Sequence, residues 1–462
     1  MQISRFTVFV DDYPSQGESL AYNTRTQSLV KVNQDLKNLL DNLRLARRAE
    51  VLPYEAELSE LFQMGIIVKD DADDVERFER FIDQRKYGVD NTNFTASVLT
   101  TYSCNFACTY CFEESTRSSG QKLDKPTSDL IMNWIKLKVG KYRPKQFTLN
   151  YYGGEPLLNQ PIMEYMSAHM QDWCRQQGIN FKVNIQTNGA LLTPEFLEKH
   201  IPLGLQSARI SVDGTKEIHD RQRPMRGTGQ GTFDIVMKNL IYAVDKIKIS
   251  VAAGYDKGNP QGILDILDYL DEIKVLRKLD TFMHTPIHPS LGPAHDPGAI
   301  VSSECMSNYE TDTLLGATAI IKDALRKKGI GAKSGLSTSM CPVTRDGGVT
   351  IDTQGLIFKC NSMLGHPELA VGNVRSIEYN DMQTKFLEAD AWKKCEPDCP
   401  YAPICNTGCR LFGYFKTGDF MAKSCEKGYM DRFIPLAIRK EYDLRMAASK
   451  KKEAQEALAL SG

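Results

Sequence analysis

The sequence predicts an α/β protein: a partial (β/α)6, TIM-like barrel with an N-terminal winged-helix-like domain and a C-terminal cysteine-rich domain. Three observations predict it. From about residue 94 to 325, six apolar strand-like runs alternate with amphipathic segments of helix length. The loops after the first four of those runs are cysteine-rich, glycine-rich or unusually polar. Ten of the twelve cysteines fall into two groups, one on the first of those loops and one near the C-terminus.

A chain of 462 residues is too long for one ordinary core, so two to four domains are expected. It is 42% hydrophobic and 25% charged with a formal net charge of −1, which gives no electrostatic grip on nucleic acid or an anionic membrane. The opening "MQISRFTVFVDDYPS" lacks the charged n-region and long apolar core of a signal peptide. No apolar run approaches the ~20 residues of a membrane-spanning helix. A cytoplasmic protein is expected, in which cysteines serve as metal ligands rather than disulfides.

Residues 1–90 begin with strand-like "SRFTVFV" and "SLAYNTRTQSLVKV", the second containing a turn at "NTRTQS" and so reading as a hairpin. Helical patterns follow at "NQDLKNLLDNLR" and "YEAELSELFQMG", then a short strand "IIVKD" and a charged helix "DADDVERFERFIDQRK". Small strands with helices of this kind are similar to a winged helix-turn-helix. The polar "YGVDNTN" reads as a linker.

Residues 91–328 form the barrel. Its strands are "TASVLTT", "QFTLNYY", "KVNIQT", "SARISV", "KISVAAGY" and "DTFMHT", with helices such as "SDLIMNWIKLKVGKY", "IMEYMSAHMQDWCRQQ", "TFDIVMKNLIYAVDKI" and "GILDILDYLDEI" between them. In such folds chemistry gathers at the C-terminal ends of the strands. The segments there are the cysteine triplet, "GGEP", "TNG" and "DGTKEIHD", which marks one rim as the active site. Residues 329–430, opening on the glycine- and serine-rich "GIGAKSGLSTS", hold seven cysteines, and residues 431–462 read as a helical tail.

Cys104, Cys108 and Cys111 are spaced C-x3-C-x2-C. Three thiolates bind three irons of a [4Fe–4S] cluster, which normally takes four, and leave one iron open to a substrate or cofactor. The competing reading is a structural zinc site completed by a remote cysteine or histidine.

With Tyr110 before the third cysteine, this triplet resembles the signature of radical S-adenosylmethionine (radical SAM) enzymes. The resemblance implies that SAM chelates the open iron. Its reductive cleavage then yields a 5′-deoxyadenosyl radical that removes a substrate hydrogen atom. Gly153, Gly154, Glu155 and Pro156 look like the family's GGE motif, which binds the SAM amino group. Thr187, Asn188 and Gly189, then Ser211, Asp213 and Gly214, lie where ribose and carboxylate contacts are expected, and Tyr110 would border the adenine.

The C-terminal cysteines read C-x13-G-x4-C from Cys341 through Gly355 to Cys360. C-x3-C-x5-C-x3-C follows at Cys395, Cys399, Cys405 and Cys409, and then Cys425. This is similar to the SPASM domain, with one residue more than its usual C-x2-C at the third and fourth cysteines. The resemblance implies two auxiliary [4Fe–4S] clusters: one on Cys395, Cys399, Cys405 and Cys425, the other on Cys341, Cys360 and Cys409 with an open fourth site. Gly335 stands where relatives with a filled site carry a cysteine, and Cys305 is the other nearby thiol. Cys174 reads as a buried structural thiol. His219, Asp220 and Arg223 in "KEIHDRQRP" read either as shaping the pocket or as a solvated loop, and His284, His288 and His295 receive no role.

SPASM proteins mostly modify peptides or proteins. Anaerobic sulfatase maturases, which make formylglycine, carry an aspartate base after the cysteine matching Cys360; here Asn361 stands there. Maturases of ribosomally made peptides often carry a winged-helix element that binds the leader of the precursor as an added strand, and residues 1–90 are similar to one. The resemblance therefore implies a precursor peptide as partner, thioether or other cross-links as product, and flavodoxin or ferredoxin as electron donor. A formylglycine maturase and a non-enzymatic metal-binding scaffold are the alternatives, and a capping domain is the alternative for residues 1–90.

Overall fold

The computed structural model describes residues 1–43, 45–46, 51–88, 92–111, 120–255, 260–287, 311–330, 336–338, 340–345, 347–396, 399–405, 407–419 and 422–460. They form two compact units. One comprises Met1–Gly88, Ala332–Cys341 and Ala389–Gly462, the other Val89–Gly331 and Pro342–Glu388.

In the first unit β1 (Gln2–Ile3) pairs with β5 (Ile67–Val68), and β2 (Thr7–Asp11), β3 (Glu18–Asn23) and β4 (Leu29–Asn33) form an antiparallel meander. The turn between β3 and β4 is set by Asn23, whose Oδ1 accepts the N–H groups of Arg25 and Thr26, both at 3.0 Å. Helices Gln34–Asp41 and Asp71–Tyr87 start at capping side chains, Asn33 and Asp70, that accept from Leu36 and Asp73. Helix Glu55–Met64 stops at Gly65, whose φ of 76° suits glycine.

Strand alternation decides the packing. On β3, Ala21 points into a core with Val32, Leu36, Leu40, Leu58, Leu61, Ile66 and Ile67. Its neighbours Leu20 and Tyr22 point the other way, against Tyr401, Ile434 and Ile438. The last two lie on the long helix Lys427–Leu460. Phe6, Phe78 and Ile82 likewise pack with Ala402 and Trp392. The meander is thus buried on both faces, one of them by the C-terminal segment. The sequence reading cuts at residues 90, 328 and 430; the contacts join 1–88 to 389–462 because neither buries its apolar face alone.

In the second unit β6 (Asn93–Leu99), β7 (Gln146–Tyr152), β8 (Asn180–Thr187), β9 (Leu205–Ser211), β10 (Lys248–Tyr255) and β11 (Thr281–Pro286) are parallel, each paired with its sequence neighbours. Helices Lys125–Tyr142, Gln160–Gln177, Pro194–His200, Phe233–Ala243 and Pro260–Glu272 make the crossovers, and Thr311–Lys327 follows β11. Two predicted strands, "QFTLNYY" and "KISVAAGY", coincide with β7 and β10. The sequence reading placed no strands after β11. The structure adds β12 (Val349–Ile351), parallel to β6, then β13 (Leu356–Phe358) and β14 (Gly372–Asn373), both antiparallel, making an open nine-stranded sheet. At two or three residues each, these strands are too short to show alternation. Among the described residues no helix is long and apolar enough to cross a membrane.

Candidate active site

The strand ends of β6 to β10 carry the candidate residues. After Leu99 the chain runs through Thr100–Cys111 as a loop whose neck is closed by backbone. The Thr101–Lys122 bridge, Tyr102 N–H to Gln121 O at 2.9 Å and Leu123 N–H to Thr100 O at 2.9 Å close it. Tyr102 donates its hydroxyl to Asp352, in the turn between β12 and β13, at 3.4 Å.

The loop after β7 explains its glycines. Gly154 N–H donates to Thr101 O at 3.0 Å and Glu155 N–H to Ser103 O at 2.9 Å, so the two backbones lie against each other. A Cβ on Gly153 would stand 2.6 Å from Thr101 O; one on Gly154 would stand 2.5 Å from the carbonyls of Tyr102 and Ser103. The pair is required for the cysteine loop to lie where it does. Pro156 opens the short 3-10 turn Pro156–Asn159, capped by Glu155, which accepts Leu157 N–H at 3.0 Å.

Glu155 is 0% exposed. Its carboxylate accepts the Thr187 hydroxyl at 2.8 and 3.0 Å and the Asn188 N–H at 2.8 Å, tying the loop after β7 to the end of β8. Burial pushes its pKa up to about 7 against those hydrogen bonds. Asn188 passes the connection on: its Nδ2 donates to Asn105 Oδ1 at 2.8 Å and lies 3.8 Å from Cys104 Sγ. Cys104 is buried and Cys108 and Cys111 are half-buried. Phe106 N–H also approaches Cys104 Sγ, at 3.4 Å, the kind of donor that tunes a cluster sulfur. Among the described residues no three His, Cys, Asp or Glu side chains gather around one point as a single ion requires. A cubane spreads its ligands over several irons, and the glycine cradle and the N–H donors at Cys104 suit it.

The other side of the loop is held by residues 222–226. Thr109 N–H donates to Gln222 O at 3.0 Å, Ala107 N–H to Pro224 O at 2.8 Å and Arg226 N–H to Asn105 O at 2.7 Å. Tyr110 donates its hydroxyl to Asp213 and accepts from Arg223 Nη1 at 2.6 Å. Asp213 Oδ1 accepts Gly254 N–H at 2.8 Å, and its own N–H donates to His219 Nδ1 at 3.3 Å. Burial, reinforced by the Asp213 carboxylate, keeps the Tyr110 hydroxyl protonated. Ser211, the last residue of β9, is half-buried.

Cys104, Tyr110, Gly153, Gly154, Glu155, Thr187, Asn188 and Asp213 therefore stand on adjoining loops at one rim. Arg223, which the sequence leaves open between shaping the pocket and a solvated loop, is part of the network; the signal for it is its place in the loop after a rim strand.

Cys341, Cys395, Cys399, Cys405, Cys409 and Cys425 belong to the first unit and Cys360 to the second. Cys399 and Cys405 pack against the Val10–Leu20–Tyr22 core. Burial pushes the Cys405 thiol up to about 12 and raises Cys395 and Cys399. Cys360 precedes the 3-10 turn Asn361–Met363, and Asn361 Oδ1 accepts the Thr350 hydroxyl at 2.6 Å. Cys174 is buried, its thiol pushed up to about 12. His284 lies on β11; Cys305, Gly335, His288 and His295 lie outside the described residues.

Residues 98–270 match the Radical SAM superfamily model. The chain is 28% identical over 208 residues to the radical SAM cyclopropyl synthase TigE of Paramaledivibacter caminithermalis, a match covering 41% of each protein. It is 25% identical over 343 residues to the cysteine-type anaerobic sulfatase-maturating enzyme of Clostridium novyi, covering 67% of this chain and 85% of that one. Among solved structures, anSMEcpe with bound AdoMet and Cp18Cys peptide superposes with a TM-score of 0.59 at 15% identity over 78% of this chain and 99% of that one. Streptococcus suis SuiB bound to precursor peptide SuiA superposes with a TM-score of 0.52 at 13% identity over 92% of this chain and 99% of that one. The strand-end loops that carry Cys104, Glu155, Asn188 and Asp213 all lie inside the matched residues, so the chain carries a radical SAM domain there and the protein is an enzyme.

Proposed function

We propose that the enzyme matures a ribosomally made precursor peptide in the cytoplasm, forming a thioether or other intramolecular cross-link. The observation that carries this is the reach of the fold similarity. The match to SuiB, solved with a precursor peptide, extends over 92% of this chain, against 78% for anSMEcpe. That reach supports a counterpart for the N-terminal residues, read here as a winged-helix-like leader-recognition domain in which a free strand edge takes the leader.

Cys104, Cys108 and Cys111 would hold the SAM-binding [4Fe–4S] cluster, which with SAM supplies a 5′-deoxyadenosyl radical. Gly153 to Pro156, Thr187, Asn188, Ser211, Asp213 and Tyr110 would line the SAM site. Glu155 and Asn188 fix the cysteine loop, and Tyr110, pinned by Asp213, presents its ring at the rim. In the SPASM-like region Cys395, Cys399, Cys405 and Cys425 would hold one auxiliary cluster. Cys341, Cys360 and Cys409 would hold the other, its open iron offered to a substrate cysteine, which stays deprotonated there. A flavodoxin or ferredoxin would supply electrons.

Formylglycine formation is the second reading, favoured by the similarity to the sulfatase-maturating enzyme. Asn361 argues against it: an amide is no base, and its oxygen already accepts from Thr350. Incubation with SAM, a reductant and any small precursor peptide found encoded beside the gene tests the proposal. The product should be lighter by two hydrogens with one thiol fewer. A two-hydrogen loss with all thiols free would indicate a carbon–carbon or carbon–oxygen bond, and an aldehyde would establish formylglycine formation instead.

A further inference from the structure

The segment Gln222–Arg226 pairs with the cysteine loop as a short antiparallel strap, completed by the Phe106–Met225 bridge and by Arg226 Nε donating to Phe106 O at 3.3 Å. The backbone bonds of this strap do not depend on side-chain identity, although the Arg226 contact does. The side chain of Arg223 does something else. It is buried, its Nη1 lies 2.6 Å from Tyr110 Oη and 3.4 Å from Asp213 Oδ2, and its guanidinium carbon sits 6.0 Å from the centre of the Phe106 ring. Its own carbonyl is held by the Thr232 hydroxyl at 2.7 Å. A buried guanidinium is costly unless paired, and here Asp213 pairs it while the shared Tyr110 hydroxyl completes a three-membered network.

We propose that Arg223 is a positioning residue for the SAM-binding cluster. Its charge holds Tyr110 and the turn carrying Cys108 against the ends of β9 and β10, and so fixes the geometry in which SAM meets the cluster. Three features support this. The network joins the cysteine loop to two separate strand ends, through Asp213 after β9 and through the Gly254 N–H on β10. Tyr110 lies between two of the three cysteines, so its swing would move both. Removing Arg223 would leave the Asp213 carboxylate buried with its counter-charge gone, which pushes the loop outward to reach water. The inference rests on the radical SAM assignment and not on which peptide is modified.

The test uses the reconstituted full-length enzyme with Arg223→Met, Arg223→Lys and the double variant Arg223→Met/Asp213→Asn. Readouts are iron per chain, SAM affinity by equilibrium dialysis, and the electron paramagnetic resonance spectrum with and without SAM. For Arg223→Met we expect SAM affinity to fall roughly tenfold, the loss expected for one charge-assisted hydrogen bond. The SAM-induced spectral change should be lost while the auxiliary signals stay. Arg223→Lys should recover part of both, because it keeps the charge without the fork. The double variant removes both buried charges and should hold its cluster better than Arg223→Met, which keeps the idea testable if the single variant fails to fold. Wild-type SAM affinity and spectrum in Arg223→Met would overturn it. So would iron loss spread in proportion over every cluster, which would mark a general folding defect.

Discussion

The Thr187 hydroxyl donates to both oxygens of the Glu155 carboxylate, at 2.8 and 3.0 Å, in a fully buried contact that joins the loop after β7 to the end of β8. Every partner that Glu155 has there is a donor: Thr187, the Asn188 N–H and the Leu157 N–H. Glu155→Gln would turn an amide NH2 toward one of them and leave a buried donor without an acceptor, at a cost of about 1–3 kcal/mol. The expected outcome is a protein that unfolds at lower denaturant and binds SAM more weakly, because Asn188 also steadies Cys104 through Asn105. Thr187→Val should cost less, since the two backbone N–H groups still reach the carboxylate. Equal stability of Glu155→Gln and wild type would contradict this account.

His219 sets a pH dependence. It is fully buried and its Nδ1 accepts the Asp213 N–H; burial first, then the Arg223 charge, hold its pKa at about 4 instead of 6.5. Between those values the unfolded chain binds a proton that the fold refuses. The contribution is therefore present above pH 6.5 and is lost as pH falls toward 4, on the order of 3 kcal/mol in all. Glu155 works in the opposite sense, its pKa raised by burial from 4.5 to about 7. Its contribution is present below pH 4.5 and is lost as pH rises through 7. His219→Asn keeps an acceptor where Nδ1 stands and does not titrate. Its melting temperature should fall less than that of wild type between pH 7 and 5, while that of Glu155→Gln should fall more.

Under the proposal the cysteines divide by role. Cys104→Ala, Cys108→Ala or Cys111→Ala should abolish SAM cleavage and reduce iron from about twelve per chain to about eight, the auxiliary signals remaining. Near-stoichiometric zinc with little sulfide in the wild type, or deoxyadenosine formed by the triple variant, would refute the assignment.

The parallel sheet was legible because its β/α periods are long and regular, and the loops at its strand ends because Gly-Gly, Asn-Gly and Asp-Gly there have a backbone reason to be present. Gly189, for example, has a φ of 87° and a Cβ there would press on Ile210 and Val236. Other features were not legible. Arg223 looks like any charged loop residue until the fold brings it to Tyr110 and Asp213. The three short strands β12 to β14 carry no periodicity. Nor could local pattern show that Leu20 and Tyr22 on β3 would find Ile434 and Ile438, more than 400 residues away. That is a non-local contact with no local signal.

That shared core has a consequence for metal removal. Cys399 and Cys405 are packed against Val10, Leu20 and Tyr22, and the Thr24 hydroxyl donates to Pro400 O at 2.5 Å. Lys86, almost wholly buried, is paired with Asp390. Loss of the cluster proposed for Cys395, Cys399, Cys405 and Cys425 should therefore loosen β2 and β3, read as faster amide exchange in those strands after Cys399→Ala. Deleting residues 1–85 should expose Tyr401, Ile434 and Ile438 and give a poorly soluble protein rather than a clean loss of peptide binding. Unchanged exchange in β2 and β3 would mean that the meander does not depend on the cysteines beneath it.

Asn361 tests the chemistry most directly. Its Oδ1 accepts from Thr350 on β12, which leaves the amide NH2 as the group that can face outward beside Cys360. A neutral donor there would tolerate a substrate thiolate approaching the iron proposed at Cys360; a carboxylate would repel it and could act as a base. Asn361→Asp keeps an acceptor for Thr350, so the fold and the iron content should be unchanged. The rate of cross-linking should fall several-fold from charge repulsion at short range, an effect that high salt screens only weakly when the pair is partly buried. Mass spectrometry of the precursor peptide after reaction with each enzyme, with thiols alkylated before and after, measures this. Equal cross-linking by the two enzymes would show that the charge at this position does not matter. An aldehyde made by the wild type would show that a base is supplied from elsewhere and that Asn361 does not exclude formylglycine.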